Sequence, residues 1–167
     1  MVILTGGTGF LLFLLLIQTT IVSRLNFIYG GADLYILFLS AWSLQVKSSK
    51  NIEFVLIATT FISIASALPF YIYLITYLSI ISLAYFLKKR IWQTPILALA
   101  FTIIVATLIN HGLTIFWIRI NGTAIPVEQA IGLITVPTVF MNLLLSIPVY
   151  IVIRNIIEYI YPYEGDE

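Results

Sequence analysis

The chain has 167 residues, of which 61% are hydrophobic and 9% are charged, and its formal net charge is +1. Soluble domains carry about 25% charged residues, so this composition excludes a soluble protein and predicts an integral membrane protein. Cysteine is absent and histidine occurs once, which excludes disulfides, thiolate metal sites and sites with several histidines. The near-zero charge argues against a nucleic-acid partner, and we expect no cofactor.

The first segment contains the glycine-rich string TGGTGF, residues 5–10, which resembles the start of a dinucleotide-binding unit. That fingerprint needs a further glycine where this chain has Leu12, and the helix after it should have a wet face. Residues 10–17 are instead apolar all round. The string is therefore predicted to begin a transmembrane helix over residues 2–22.

Charged residues and a proline mark the ends of the next three predicted helices. A helix that crosses a membrane needs about 20 apolar residues. A short helix over 34–46 ends at Lys47. The long apolar run that follows is divided at Pro69, since the residue before a proline disfavours helix. We expect helices over 52–68 and 70–87.

The last two helices are predicted over 92–118 and 127–158, with a turn at Asn121-Gly122 between them. Two prolines are expected to kink the last helix, Pro137 and Pro148. The predicted fold class is an all-α integral membrane protein, in which residues 1–167 form one compact domain of six transmembrane helices.

Lysine and arginine predict the orientation, because they are enriched in cytoplasmic loops. With the N-terminus inside, six of the eight cations fall on the cytoplasmic side and two fall outside. We therefore expect both termini in the cytoplasm. The six are Lys47, Lys50, Lys88, Lys89, Arg90 and Arg154, and the two are Arg24 and Arg119.

Polar side chains within the predicted helices are candidates for function, since buried polar groups in membranes are costly. Asn110 and His111 lie on the fifth helix and Asn142 lies on the sixth. Interhelical packing is the favoured interpretation, and a polar cavity for a substrate is the alternative. No acidic residue lies near His111 in the sequence, so a hydrogen-bonded packing histidine is favoured over a proton relay.

Two further features have simple structural interpretations. Asp33 immediately precedes the second helix, where it is expected to cap the helix N-terminus. Arg154 and Glu158 are four residues apart and are expected to pair at the inner interface. The acidic tail over 163–167 is expected to be mobile.

Three stretches give the chain a resemblance to the bacterial rod shape-determining protein MreD family. They are LLIQTTIVSRL at the end of the first helix, GGADLYILFLSAW with Asp33 and Leu34 at the start of the second, and PTVFMNLLLSIPVYIVIRNI in the last. In the last stretch the matching residues are Pro137, Asn142, Pro148, Tyr150 and Arg154. The family often has an aspartate in its third helix, where this chain has Ser63.

The resemblance implies a non-enzymatic scaffold in the bacterial cytoplasmic membrane, within the cell-wall elongation machinery. It implies docking of the single-span protein MreC and, through MreC, links to the penicillin-binding transpeptidase, RodA and MreB. The family also resembles in fold the six-helix substrate-binding subunits of energy-coupling-factor transporters. Membrane lipid is the other expected partner.

A face of the fourth helix is the predicted partner surface, because four tyrosines lie on that helix. They are Tyr71, Tyr73, Tyr77 and Tyr85. The alternative function is a substrate-binding membrane subunit of a vitamin-type transporter, and an intramembrane enzyme is the least favoured reading. Against the transporter, the chain has no Ala-x-x-x-Ala pattern. Our candidate structural or interaction residues are Asp33, Asn110, His111, Asn142, Pro148 and Arg154.

Overall fold

The computed structural model describes residues 2–24, 28–46, 51–90 and 95–160. Within these ranges the chain forms six helical rods and no β-sheet, which confirms the all-α class. The elements are α1 (Val2–Thr20), a 3-10 turn (Val22–Arg24), α2 (Leu34–Gln45), α3 (Asn51–Ala65), α4 (Phe70–Arg90), α5 (Pro95–Ile120), α6 (Val127–Ala130), a π-helical turn (Ile131–Thr135) and α7 (Val136–Ile160). The last three follow one another directly and form one rod. The TGGTGF string lies inside α1, as expected.

In the described ranges, four stretches are long and apolar enough to cross a membrane: Gly7–Arg24, Phe70–Lys88, Pro95–Ile120 and Val127–Tyr159. The chain is therefore a multi-pass membrane protein. The two remaining helices are shorter, since α2 has 12 residues and α3 has 15. At 1.5 Å per residue, α2 is about 18 Å long, which is less than a bilayer core of about 30 Å.

The short helix α2 lies at the centre of the bundle. Nine consecutive residues, Tyr35 to Ser43, are buried, and α2 packs against α7, α4 and α5. Its sequence is apolar on every side, which is typical of a helix surrounded by protein. At its C-terminal end the Lys88 ammonium donates a 2.7 Å hydrogen bond to the Val46 carbonyl, which ties α4 to the end of α2.

Aromatic rings fill the space between α1, α2 and α3. The Trp42 and Phe54 rings are 4.9 Å apart, and those of Phe10 and Phe38 are 5.2 Å apart. Tilted ring pairs at such distances add to the stabilisation from buried area. The α1 helix otherwise has few contacts with the rest of the bundle, and it packs mainly on α3.

The predicted C-terminal ends of five helices need correction by two or three residues. The third helix ends at Ala65 and not at residue 68, because the Ser66 hydroxyl accepts a 3.1 Å bond from the Leu68 N–H and the chain bends before Pro69. The first helix ends at Thr20 and not at residue 22, whereas the fourth and the last helices continue to Arg90 and Ile160, beyond their predicted ends at 87 and 158. The fifth helix continues to Ile120, two residues beyond its predicted end. Its predicted start at 92–94 lies outside the described residues.

The assignment of four tyrosines to one surface of α4 was wrong for two of them. Tyr73 and Tyr77 are 7% and 0% exposed, whereas Tyr71 and Tyr85 are exposed. The Tyr77 ring faces α2, where it stacks on Tyr35 with 6.3 Å between centroids, and the Tyr73 ring lies 6.1 Å from the Tyr77 ring. A period of 3.6 residues places positions 73 and 77 on one face and position 71 on another.

The two prolines of the last rod have different surroundings. Pro137 lies two residues after the π-helical turn, at whose end the Val136 N–H bonds to the Ile131 carbonyl five residues back. Pro148 lies inside α7, which continues through it. The predicted turn at Asn121-Gly122 is confirmed, because α5 ends at Ile120 and Gly122 has φ +87°. Glycine adopts this left-handed conformation at little cost.

Candidate functional site

Asp33 caps the N-terminus of α2, as its position in the sequence predicts. Its Oδ1 atom accepts hydrogen bonds of 3.0 Å from the Tyr35 N–H and 3.1 Å from the Ile36 N–H. These donors belong to the first turn of the helix, where they have no partner within the helix. The cap therefore fixes where α2 begins.

Asn142 joins this cap to two other helices. Its side-chain oxygen accepts a 2.8 Å bond from the Asp33 N–H, and its amide nitrogen donates a 3.0 Å bond to the Thr107 hydroxyl. Asn142 is fully buried. Both ends of its amide are therefore used to link the start of α2 to α7 and α5.

Gln18 holds the same segment from the side of α1. Its amide nitrogen donates to the Ala32 carbonyl and its amide oxygen accepts from the Leu34 N–H, both at 2.9 Å. Sequence reasoning missed this residue. The sequence did contain a signal for it, because Gln18 is the one amide side chain in α1.

Gly30 brings the same segment against the last rod, backbone to backbone. A Cβ atom at this position would lie 2.6 Å from the Thr138 nitrogen and 2.7 Å from the Ile134 oxygen. No other residue type fits without movement of the backbone. We call Gln18, Asp33, Thr107 and Asn142, with the backbone of residues 30–34 that they hold, the polar node.

The polar node lies halfway along the longest helices. Thr107 is about 18 Å from Pro95 and about 20 Å from Ile120, at the helical rise of 1.5 Å per residue. The α2 helix therefore starts near the middle of α5 and runs to one end of the bundle. Hydrogen bonds at this depth matter more than at a wet surface, because water does not replace them.

Most hydroxyl groups within the helices bond to their own helix. Thr59, Thr76 and Thr107 each donate to the carbonyl four residues earlier, at 2.7 to 2.9 Å. Direct bonds between elements come from fewer side chains, such as the Tyr73 hydroxyl, which donates to the Ser66 hydroxyl at 2.7 Å. These three threonines are buried, and the amides of the polar node make the links between helices.

His111 and Asn110 lie on a different part of α5. The His111 Nδ1 atom is 3.0 Å from the hydroxyl of Thr135, which lies in the π-helical turn. This hydrogen bond agrees with the packing interpretation of the histidine. Asn110 is buried, and its side-chain oxygen has no hydrogen-bond partner among the residues that the structure describes.

Beside His111, a surface groove runs between α5 and the start of the last rod, which is made of α6 and the π-helical turn. Its volume is about 370 Å³. Leu108, Gly112, Phe116 and Arg119 line it from α5, and Ile131 and Thr135 line it from the opposite side. We call it the α5–α6 groove. The lining is apolar except near His111 and Thr135 and at Arg119.

The last two candidate residues lie away from the polar node. Pro148 is exposed on α7. Arg154 donates a 2.7 Å bond to Glu158, which confirms the predicted pair. The six candidates therefore divide into Asp33 and Asn142 in the polar node, Asn110 and His111 near the groove, and two residues on the surface of α7.

Within residues 2–24, 28–46, 51–90 and 95–160, no group of three or more histidine or acidic side chains could hold a metal ion. The hydrogen bonds of the polar node hold helices together, and the α5–α6 groove has the lining for an apolar ligand. No protein-family model, no curated protein and no solved structure matches the chain.

Proposed function

We propose that the chain is a non-enzymatic scaffold subunit of the cell-wall elongation machinery, and that it docks the single-span protein MreC in the bacterial cytoplasmic membrane. The observation that most supports this proposal is a direct hydrogen bond within the polar node. Asp33 and Asn142 carry the resemblance to the MreD family, are 109 positions apart, and bond directly to each other. They hold the bundle in one shape, which a docking protein needs.

A membrane scaffold requires apolar surface for its partner, and α4 offers such a surface. Its exposed residues recur every three or four positions and include two tyrosines and two large aliphatic side chains. We call this the α4 outer face, made up of Tyr71, Ile75, Leu78, Ser82 and Tyr85. A transmembrane helix packs against such a face by van der Waals contact and by close approach at small residues such as Ser82.

The proposed topology has six crossings with both termini inside. The short helix α2 covers about 18 Å, and the four non-helical residues 30–33 before it reach up to about 13 Å when extended. Together they exceed a bilayer core of about 30 Å. This supports a crossing at α2 in spite of its length, with the rest of the span made of the non-helical residues 30–33, which are buried or half-buried in the protein.

Leu78→Trp tests the α4 outer face. The larger ring should obstruct a partner helix, so we expect several-fold less MreC to co-purify from native membranes. Leu12→Trp on α1 is the matched control, because Leu12 is 46% exposed and Leu78 is 40% exposed. Equal recovery of MreC with both variants would remove α4 as the docking face, and no recovery with the unaltered chain would contradict the scaffold.

The alternative proposal is a substrate-binding subunit of a vitamin-type transporter, and one observation favours it. The α5–α6 groove has about 370 Å³, which is within the range of small-molecule sites, and it includes His111 and Arg119. Recovery of two ATPases and a coupling membrane subunit in the same purification would support the transporter in place of the scaffold.

A further inference from the structure

The α5–α6 groove opens on the surface that faces lipid. Leu108 and Phe116, which line it, are 51% and 65% exposed, and Phe101 continues the same stripe of α5 at 49%. Large apolar side chains exposed along a membrane helix contact acyl chains. The groove is therefore open to lipid along its length, and no route through the protein is needed to fill it.

The length of the groove matches one leaflet. From Leu108 to Arg119 the rise along α5 is about 16 Å, and half of a bilayer core is about 15 Å. Leu108 lies near the middle of α5, and Arg119 is in its last turn. Gly112 leaves the floor open, since no atom lies within 4 Å of where its Cβ would be.

Arg119 places a cation where a lipid headgroup would lie. It is exposed and is followed by the turn at Gly122, at the end of the apolar helix. The one ion pair found among the described residues joins Arg154 and Glu158, so Arg119 has no acidic partner there. The nearest acidic residue in the sequence, Glu128, does not line the groove. Arginine binds phosphate through paired N–H donors.

We propose that the α5–α6 groove binds one anionic phospholipid of the surrounding bilayer. One acyl chain lies along Leu108, Gly112, Phe116 and Ile131, and the phosphate is bound by Arg119. The length, the apolar lining and the unpaired cation at one end all fit this ligand. The site is independent of the scaffold function and concerns a different face from α4.

Native mass spectrometry of the full chain tests the proposal. The purified protein is titrated with phosphatidylglycerol or with phosphatidylcholine that has the same acyl chains. We expect one phosphatidylglycerol to bind about tenfold more tightly, since a hydrogen-bonded charge contributes on this order. Arg119→Gln should abolish this preference. Arg24→Gln is the matched control, because Arg24 is an exposed cation outside the groove, and it should preserve the preference.

Gly112→Leu tests the acyl-chain part, because the new side chain extends into the open floor and should weaken binding of both lipids. Its helical content and melting temperature are measured beside those of the unaltered chain. The proposal is overturned if Arg119→Gln keeps the preference, if folded Gly112→Leu binds both lipids normally, or if the unaltered chain does not distinguish them. Competition by inorganic phosphate would assign Arg119 to a free anion instead of a lipid.

Discussion

Asp33 and Asn142 show how single side chains define this bundle. Asp33 could be predicted as a cap from its place before an apolar helix, because capping depends on neighbours in the sequence. Its bond to Asn142 could not, since the two residues meet only when α2 and α7 pack. The sequence marks both as unusual polar residues in an apolar chain, but not as partners.

Asn142→Ala removes the acceptor of the Asp33 N–H and the donor to Thr107. A polar group left unpaired in a buried site costs about 1–3 kcal/mol, so the free energy of unfolding should fall by about 2 kcal/mol. Unfolding in mixed detergent micelles measures it. Asn155→Ala, an exposed asparagine on the same helix, is the control and should have little effect. An unchanged stability for Asn142→Ala would contradict the polar node.

Gly30→Ala should destabilise the protein by about 2 kcal/mol or more. The added methyl meets backbone atoms of the last rod within 2.7 Å, and backbone cannot turn aside as a flexible side chain can. Gly9→Ala is the control, because nothing lies within 4 Å of its Cβ position and alanine favours a helix by up to about 1 kcal/mol. Thermal unfolding of both variants should move in opposite directions, and a shared direction would refute the close approach.

The helices were largely predictable in number and position, because charges and prolines interrupt an otherwise apolar chain. Their faces were less predictable. Residues around α2 and α4 are apolar on all sides, so hydrophobic periodicity does not show which side is buried in a membrane protein. This is why Tyr73 and Tyr77 were placed on a surface and are found buried in the core. The π-helical turn before Pro137 had no clear signal in the sequence.

The contact between α1 and α2 can be tested with a pair of tyrosines. The Tyr35 hydroxyl donates a 2.9 Å bond to the Leu11 carbonyl, whereas the buried Tyr77 hydroxyl has no partner among the described residues. Tyr35→Phe should cost about 1 kcal/mol of unfolding free energy, and Tyr77→Phe should be neutral or slightly stabilising. The two rings stack on each other, so each variant controls for the other. The reverse order of stabilities would contradict this arrangement.

The proposed arrangement of the bundle in the membrane rests on the lengths of its helices and on the positions of its lysines and arginines. Four helices in the part of the chain that the structure describes have the length for a crossing, and α2 begins halfway along α5, at the polar node. Composition alone predicted a membrane protein, and the charged residues, Pro69 and the Asn121-Gly122 turn predicted that it has several spans. The depth of Asp33 could not be predicted, because a loop between two helices is normally expected at the surface.

Cysteine labelling tests the proposed orientation, since the chain has no cysteine of its own. Thr123→Cys, in the turn after α5, should react with a membrane-impermeant maleimide in intact cells. Asn155→Cys, near the end of α7, should react only after the membrane is permeabilised. Both side chains are exposed, so access to the reagent decides the result. The opposite pattern would reverse the orientation.

Affinity purification of the unaltered chain from native membranes, with partners identified by mass spectrometry, tests the proposed function most directly. The scaffold predicts recovery of MreC, followed by the penicillin-binding transpeptidase, RodA and MreB. Recovery of two ATPases with a coupling membrane subunit, and no MreC, would contradict it.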